Sequence, residues 1–373
     1  MSLPEFTLGV EEEYQIVEPQ TRELAASSGK ILPLARQRLS EDTVQSEIHR
    51  SQIEIATEVC HSLEEVRAQL VRSRRAVIEA AAKDGKKIVA AGTHPFSSWK
   101  QPITSKQRYQ SLEEDFQQIV RELVIFGCHV HVGLEDKEMA VAVLNRVQNW
   151  LAVLLALSAN SPFWLGQVTG YASYRTEIWS RLPQTGPTLF FKDYEDYQAT
   201  IAEIITASAI DDPTKIYWDV RLSETFPTIE FRVADVCLTI DEALMQAGLV
   251  RGLVRTCYNE IKQGIAFVPP KYQLLQIARW QAARYGLSGN LIEVGRSRSV
   301  SGVELTTSFL NYLRPALEQL GDWLTLSSLV QRTLERGNGA RRQYEVYQQA
   351  NNFTAVVDYL IEQTAQGVEV EFI

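Results

Sequence analysis

The stretch that most constrains this chain is Thr7-Leu8-Gly9-Val10-Glu11-Glu12-Glu13-Tyr14-Gln15-Ile16-Val17, a predicted strand with three consecutive carboxylates. Alternation puts Leu8, Val10, Tyr14 and Ile16 on one face, so Glu11 and Glu13 project together from the other. Two carboxylates held 4 Å apart at an effective dielectric near 20 repel by roughly 4 kcal/mol, a cost that a divalent cation relieves. The strand by itself fits either a solvated sheet edge or half of a cation site.

Later segments repeat the one-sided polarity. In Gln52-Ile53-Glu54-Ile55-Ala56-Thr57, Ile53 and Ile55 alternate with Gln52 and Glu54. Glu47 precedes Glu54 by an odd separation, so a turn or bulge has to intervene if both are to reach one cavity. Gly127-Cys128-His129-Val130-His131-Val132-Gly133 sets His129 and His131 opposite Cys128, Val130 and Val132. Paired imidazoles suit metal ligation or hydrogen bonding to phosphate oxygens. Trp218-Asp219-Val220-Arg221 and Thr228-Ile229-Glu230-Phe231-Arg232-Val233-Ala234-Asp235 alternate as well, offering Asp219 with Arg221 and Glu230 with Arg232.

Between these strands the pattern is helical. Ser62-Leu63-Glu64-Glu65 reads as a capping box, followed by Val66, Leu70, Val77 and Ala81 and stopped at Lys83-Asp84-Gly85. Residues 105–126 are expected to form one amphipathic helix and 136–159 one long apolar helix. Residues 166–187, rich in glycine and aromatics, read as a functional or mobile loop that contains Arg175. From Asp241, taken as an N-cap, the chain reads as almost wholly helical, with breaks at Gly264, Gly286 and Gly302. The expected organisation is one domain spanning residues 1–373, in which residues 1–240 bear the sheet and residues 241–373 are mainly helical.

Composition bounds the function. A net charge of −9 argues against nucleic-acid or membrane-surface partners. Cys60, Cys128, Cys237 and Cys257 are scattered, which fits reduced thiols better than disulfides or a zinc site. The most apolar run, 150–157, falls short of the roughly 20 residues of a membrane span, and residues 1–6 lack the features of a secretion signal, so a cytoplasmic protein is expected. No phosphate-binding glycine loop, dinucleotide fingerprint or nucleophile elbow is present. If the five polar strand faces share one antiparallel sheet backed by helices, its front holds carboxylates for Mg²⁺ and arginines for phosphate, a mixture suited to phosphoryl transfer.

These motifs, together with Gly92-Thr93-His94-Pro95-Phe96, Ser158-Ala159-Asn160-Ser161-Pro162-Phe163-Trp164 and Thr169-Gly170-Tyr171, resemble the carboxylate–amine ligases of glutamate–cysteine ligase family 2. The resemblance implies an α+β, glutamine-synthetase-like fold: a curved antiparallel sheet with helices on one side and a helical C-terminal region. It implies ATP and Mg²⁺ as cofactors, an acyl-phosphate intermediate, small-molecule carboxylate and amine substrates such as glutamate and cysteine, and a homodimer. By position, it makes Glu11, Glu13, Glu47, Glu54, His129 and Glu230 metal ligands. Glu13, His129 and Arg232 become the catalytic groups, with His129, His131, Arg175, Arg221 and Arg232 toward the nucleotide or substrate anion. Leu222 stands where the family pattern has proline. Two rival functions remain on the same scaffold: a guanidino-kinase type of phosphotransferase, and a non-catalytic nucleotide or amino-acid sensor. A zinc hydrolase built on His129 and His131 would turn over without nucleotide.

Overall fold

Alternation along the first strand is realised with one addition. In the computed structural model, which describes residues 6–207 and 210–368, β1 (Leu8–Val17) buries Leu8, Val10, Tyr14 and Ile16, while Glu11 and Glu13 stay partly open on the other face. Glu12 shares the apolar face and is fully buried.

Six more strands complete a seven-stranded antiparallel sheet: β2 (Val44–Ser46), β3 (Gln52–Ala56), β4 (Lys87–Val89), β5 (Gly127–Gly133), β6 (Val220–Leu222) and β7 (Thr228–Asp235). Their order is β6-β7-β5-β1-β3-β2, and β4 pairs with the C-terminal end of β1. This order centres β1 and β5, the strands that carry Glu11, Glu13, His129 and His131. Glu47 follows β2 directly, and the chain turns through residues 47–51 before β3, the interruption that the odd Glu47 to Glu54 spacing requires.

Helices cover the back. α1 (Leu63–Lys83) packs on β1 and β4 through Val66, Leu70 and Val77. Ser62 caps it by accepting from the Glu65 N–H at 3.2 Å. Glu65 reaches the His61 N–H instead of that of Ser62, so only half of the expected capping box forms.

The expected 105–126 helix is broken into α2 (Gln107–Phe116) and the single turn α3 (Gln118–Arg121), with Gln117 between them at φ 48°. Leu123, Val124, Ile125 and Phe126 are all buried, which an extended segment between two layers allows and one face of a surface helix does not. The 136–159 helix divides at a 3₁₀ turn, Gln148–Trp150, into α4 (Lys137–Val147) and α5 (Leu151–Ser158). Contrary to the expectation from 150–157 alone, the 22 residues Lys137–Ser158 are long and apolar enough to cross a membrane by length and composition. In this fold they are mostly buried under protein.

The 166–187 segment is partly ordered as α6 (Tyr174–Trp179), capped by Ser173. α7 (Ile240–Lys262) runs behind β5 and β1. Its cap is Thr239 in a complete capping box with Glu242, and Asp241 sits inside the first turn, ion-paired with Arg67 and with Arg332 at 3.1 Å. The C-terminal region also holds a hairpin, Asn290–Glu293 with Arg298–Ser301, between α8 (Tyr272–Tyr285) and α9 (Gly302–Leu320). Among the described residues the larger of two hydrophobic clusters runs from Phe6 and Leu8 through the sheet to Leu329 and Val368, and the smaller packs Val17, Val89 and Phe163 with Val356 and Leu360.

Candidate active site

The open face of the sheet gathers most of the expected residues through strand register. Glu13 pairs directly with Glu54 across β1 and β3, Glu11 with His129 across β1 and β5, and Glu230 with His131 across β7 and β5. Two groups of ligand-type atoms result. Glu11, His131 and Glu230 each bring one such atom within 4.8 Å of the other two, and so do Glu13, Glu47 and Glu54. The groups are joined because Glu11 and Glu13 share one face of β1.

His131 stands in the first group and His129 beside it. His131 Nε2 lies 3.3 Å from Glu11 Oε1, and its Nδ1 lies 3.0 Å from Thr228 Oγ1. His129 Nδ1 is 3.0 Å from Glu11 Oε2. In the second group, the Gly127 N–H donates to Glu13 Oε2 at 2.6 Å, and Tyr109 donates to Glu47 Oε1 at 3.3 Å. Sequence reasoning passed over Tyr109, whose only signal was its place on the helix that faces β2.

The three arginines differ. Arg221 donates from Nε to Glu230 at 2.8 Å and from Nη1 to the Thr214 and Ile216 carbonyls at 2.9 and 2.7 Å, so its donors already serve the protein. The Leu222 N–H next to it donates to Tyr197 Oη at 3.3 Å, a bond that the proline expected at this position could not make. Arg232 pairs with Glu230 through Nη1 and lies over Trp179, its guanidinium carbon 5.9 Å from the ring centroid. Its buried Nε has no hydrogen-bond partner among the described residues. The same holds for Nε of Arg175, which is 4% exposed. Asp219 does not join the group: it turns away to Arg279 at 2.8 Å.

Charges on this face are strongly perturbed. Burial and the neighbouring Glu47 push the Glu13 carboxyl up to about 7, against the pull of Arg175 and Arg232. Burial, then Glu47, Glu11 and Glu13, hold Glu54 well above the usual range. In the other group burial is overcome. Hydrogen bonds from His129 and His131 keep Glu11 well below its ordinary value, and Arg232 and Arg221 do the same for Glu230. Burial and Arg232 bring His129 down to about 4, whereas Glu11 raises His131.

This donor set fits divalent cations. Three crowded carboxylates, of which Glu13 and Glu54 are pushed upward by burial and by Glu47, make a hard oxygen site suited to Mg²⁺, and the first group adds one imidazole nitrogen to two carboxylates. The buried Nε atoms of Arg175 and Arg232 supply donors for an anion. A cavity of ≈ 670 Å³ lies elsewhere, along the outer face of α1 between Arg38, Glu64, Arg67 and Arg72, and touches none of these groups. Chemistry therefore locates the site better than volume does.

Known proteins resemble this chain along nearly its whole length. A family model described as glutamate–cysteine ligase family 2 matches residues 7–358. A protein of Herpetosiphon aurantiacus named "putative glutamate–cysteine ligase 2" is 39% identical over 367 residues, covering 98% of this chain and 95% of its own length. A Mycolicibacterium smegmatis protein named "putative glutamate–cysteine ligase 2-3" is 40% identical over 366 residues, covering 96% and 98%. The crystal structure of Francisella tularensis glutamate–cysteine ligase in complex with AMP shares the fold at TM-score 0.74 and 11% identity, over 98% of this chain and 89% of that one. With these matches along nearly its whole length and a glutamine-synthetase-like architecture, the chain belongs to glutamate–cysteine ligase family 2.

Proposed function

We propose that this ATP-dependent carboxylate–amine ligase works through an acyl phosphate. The carboxylate oxygen of a small-molecule acid attacks the γ-phosphorus of ATP, the β–γ phosphoanhydride bond breaks, and ADP leaves. An amine then attacks the acyl carbon, loses a proton, and expels inorganic phosphate to leave an amide. The observation that carries this reading is the pair of ligand groups on one sheet face, with Arg232 and Arg175 beside them.

Glu11, His131 and Glu230 would hold one Mg²⁺, and Glu13, Glu47 and Glu54 another. Bound there, the metal neutralises phosphate oxygens and so permits two anions to approach. Glu13 and Glu54 give up their protons to become ligands. His129, kept neutral, orients Glu11. Arg232, anchored on Glu230 and Trp179, presents its free Nε to the phosphoryl group in transit, and Arg221 keeps Glu230 in place. Glutamate and cysteine, for which the relatives are named, are the first acid and amine to try.

The test is a coupled ADP-release screen crossing amino acids with amines, with inorganic phosphate and amide measured in the same wells. Equal yields of ADP, phosphate and amide are expected. A stable phosphorylated product would replace this reading with a phosphotransferase, and ATP binding without turnover on any pair would replace it with a sensor.

A further inference from the structure

Asp235 ends β7, is fully buried, and has no place in the chemistry described so far. Its Oδ2 accepts from the Asn160 N–H at 2.8 Å and the Ser161 hydroxyl at 2.7 Å, while Oδ1 accepts from the Ser173 hydroxyl at 2.7 Å. Gly92 leaves it room, since a Cβ there would come within 2.7 Å of Asp235 Cγ. These donors come from two segments that also bind each other. The Tyr174 N–H donates to the Ser161 carbonyl at 3.0 Å, and the Arg175 N–H to Ser161 Oγ at 3.1 Å. Ser173 is the N-cap of α6, so one carboxylate fixes where that helix begins, and Arg175 is its second residue.

From there Arg175 reaches over β5. A Cβ on Gly127 would collide with its Nη2, and would lie 3.2 Å from His129 Nε2. Arg175 Nη1 is 3.9 Å from Asp235 Oδ1, too far for a hydrogen bond but close enough for a buried counter-charge. Glu13 acts on Arg175 from the site side. The guanidinium is thus suspended between the Asp235 carboxylate and the metal-ligand face, with Nε left without a partner among the described residues.

We infer that Asp235, through Ser161 and Ser173, is a positioning residue that aims Arg175 at the phosphoryl group in transit. The inference rests on the ligase reading for the identity of that group. Three of the contacts to Asp235 come from neutral donors, and an asparagine can keep most of them. What an asparagine cannot supply is the negative charge facing Arg175.

Asp235→Asn is therefore expected to fold, with a lowered melting temperature because the buried Arg175 loses its counter-charge, and to be fully native at the assay temperature. Its kcat for ADP release should fall by about 10- to 100-fold with KM for ATP little altered, as when a group that orients a ligand is lost. Arg175→Ala should fall at least as far and recover with added guanidinium chloride, whereas Asp235→Asn/Arg175→Ala should not recover. In parallel, calorimetry reads inorganic phosphate binding to the enzyme with magnesium and ADP, which Asp235→Asn should weaken by about tenfold. Normal kcat and phosphate affinity in Asp235→Asn, or equal guanidinium rescue in both backgrounds, would overturn the inference. So would losses that merely track the unfolded fraction. If wild type binds ADP and phosphate yet makes no amide, the ligase reading fails, and the phosphate titration still decides the role of Asp235.

Discussion

Glu13 and Glu54 face each other as a directly paired position across β1 and β3, two acids where a sheet normally places an attractive pair. Glu47 closes on both, and the metal-free protein accommodates the trio by raising the proton affinity of Glu13 and Glu54. An acid whose folded pKa is raised binds more protons folded than unfolded, so its share of stability falls as pH rises from the unfolded value through the folded one. Glu54→Gln mimics the protonated form permanently. It should stabilise the metal-free protein by roughly 1 kcal/mol at pH 8, with a smaller gain at pH 5.5. The same variant should lose stabilisation by Mg²⁺ and most of kcat. Thermal melts at the two pH values, with and without MgCl₂, check this, and an unchanged Mg²⁺ response would remove Glu54 from the ligand set.

Proton displacement also makes cation affinity depend on pH. The Glu13 carboxyl, held at about 7, must ionise before it can ligate, and Glu54 likewise. Mg²⁺ affinity should rise between pH 5.5 and 7.5, with protons released on binding. Isothermal titrations in two buffers of different ionisation enthalpy measure that release directly. A flat affinity over this range, with equal heats in both buffers, would contradict the shared-carboxylate site.

His94 sets a pH limit of the opposite sign. It is buried, with Nε2 2.8 Å from the Arg22 carbonyl, and Nδ1 accepts from the Ser97 N–H at 2.9 Å and the Phe96 N–H at 3.2 Å. Only the neutral ring satisfies this set, because a proton on Nδ1 would confront two N–H groups. Burial holds its pKa down to about 4 against an ordinary 6.5. Between those values the unfolded chain binds more protons, so stability is full above 6.5 and drains away as pH falls toward 4. His94 should contribute a slope of about 1.4 kcal/mol per pH unit in that window. Denaturant midpoints at pH 6.5 and 4.5 should show a shallower slope in His94→Gln than in wild type, and parallel slopes would dismiss the account.

Much of this was readable in the chain because a strand has a period of two. Glu11 with Glu13, His129 with His131 and Glu230 with Arg232 follow from alternation alone, and the sheet register then delivers them to one face. What alternation does not give is where a donor is spent. Arg221 and Arg232 look alike on their strands, yet one is saturated by Glu230 and two carbonyls and the other keeps Nε free. Helix ends misled for a related reason: Asp241 and Thr239 both suit a cap, and the capping-box partner Glu242 decides for Thr239. Glu12 was legible and missed. It falls in line with Leu8, Val10, Tyr14 and Ile16, and Arg74 falls on the Val66, Leu70 and Val77 stripe of α1.

That pair makes the last prediction. Arg74, 1% exposed, grips Glu12 through Nε at 3.0 Å and Nη2 at 2.5 Å, and donates to the Cys237 and Leu238 carbonyls at 2.9 and 3.1 Å. It therefore ties the back of β1 to the segment joining β7 to α7. Arg74→Met strands a buried carboxylate and should cost about 3–5 kcal/mol, while adding Glu12→Gln should recover some of that loss because the charge goes with its partner. Recovery should stay incomplete, since the two carbonyls still lack a donor. Glu11 and Glu13 lie on the opposite face of β1, so kcat per folded molecule should stay near wild type in the double variant. Denaturant unfolding of both single variants and the double variant gives the coupling energy. If the double variant loses the sum of the single losses, Glu12 and Arg74 do not act as a pair.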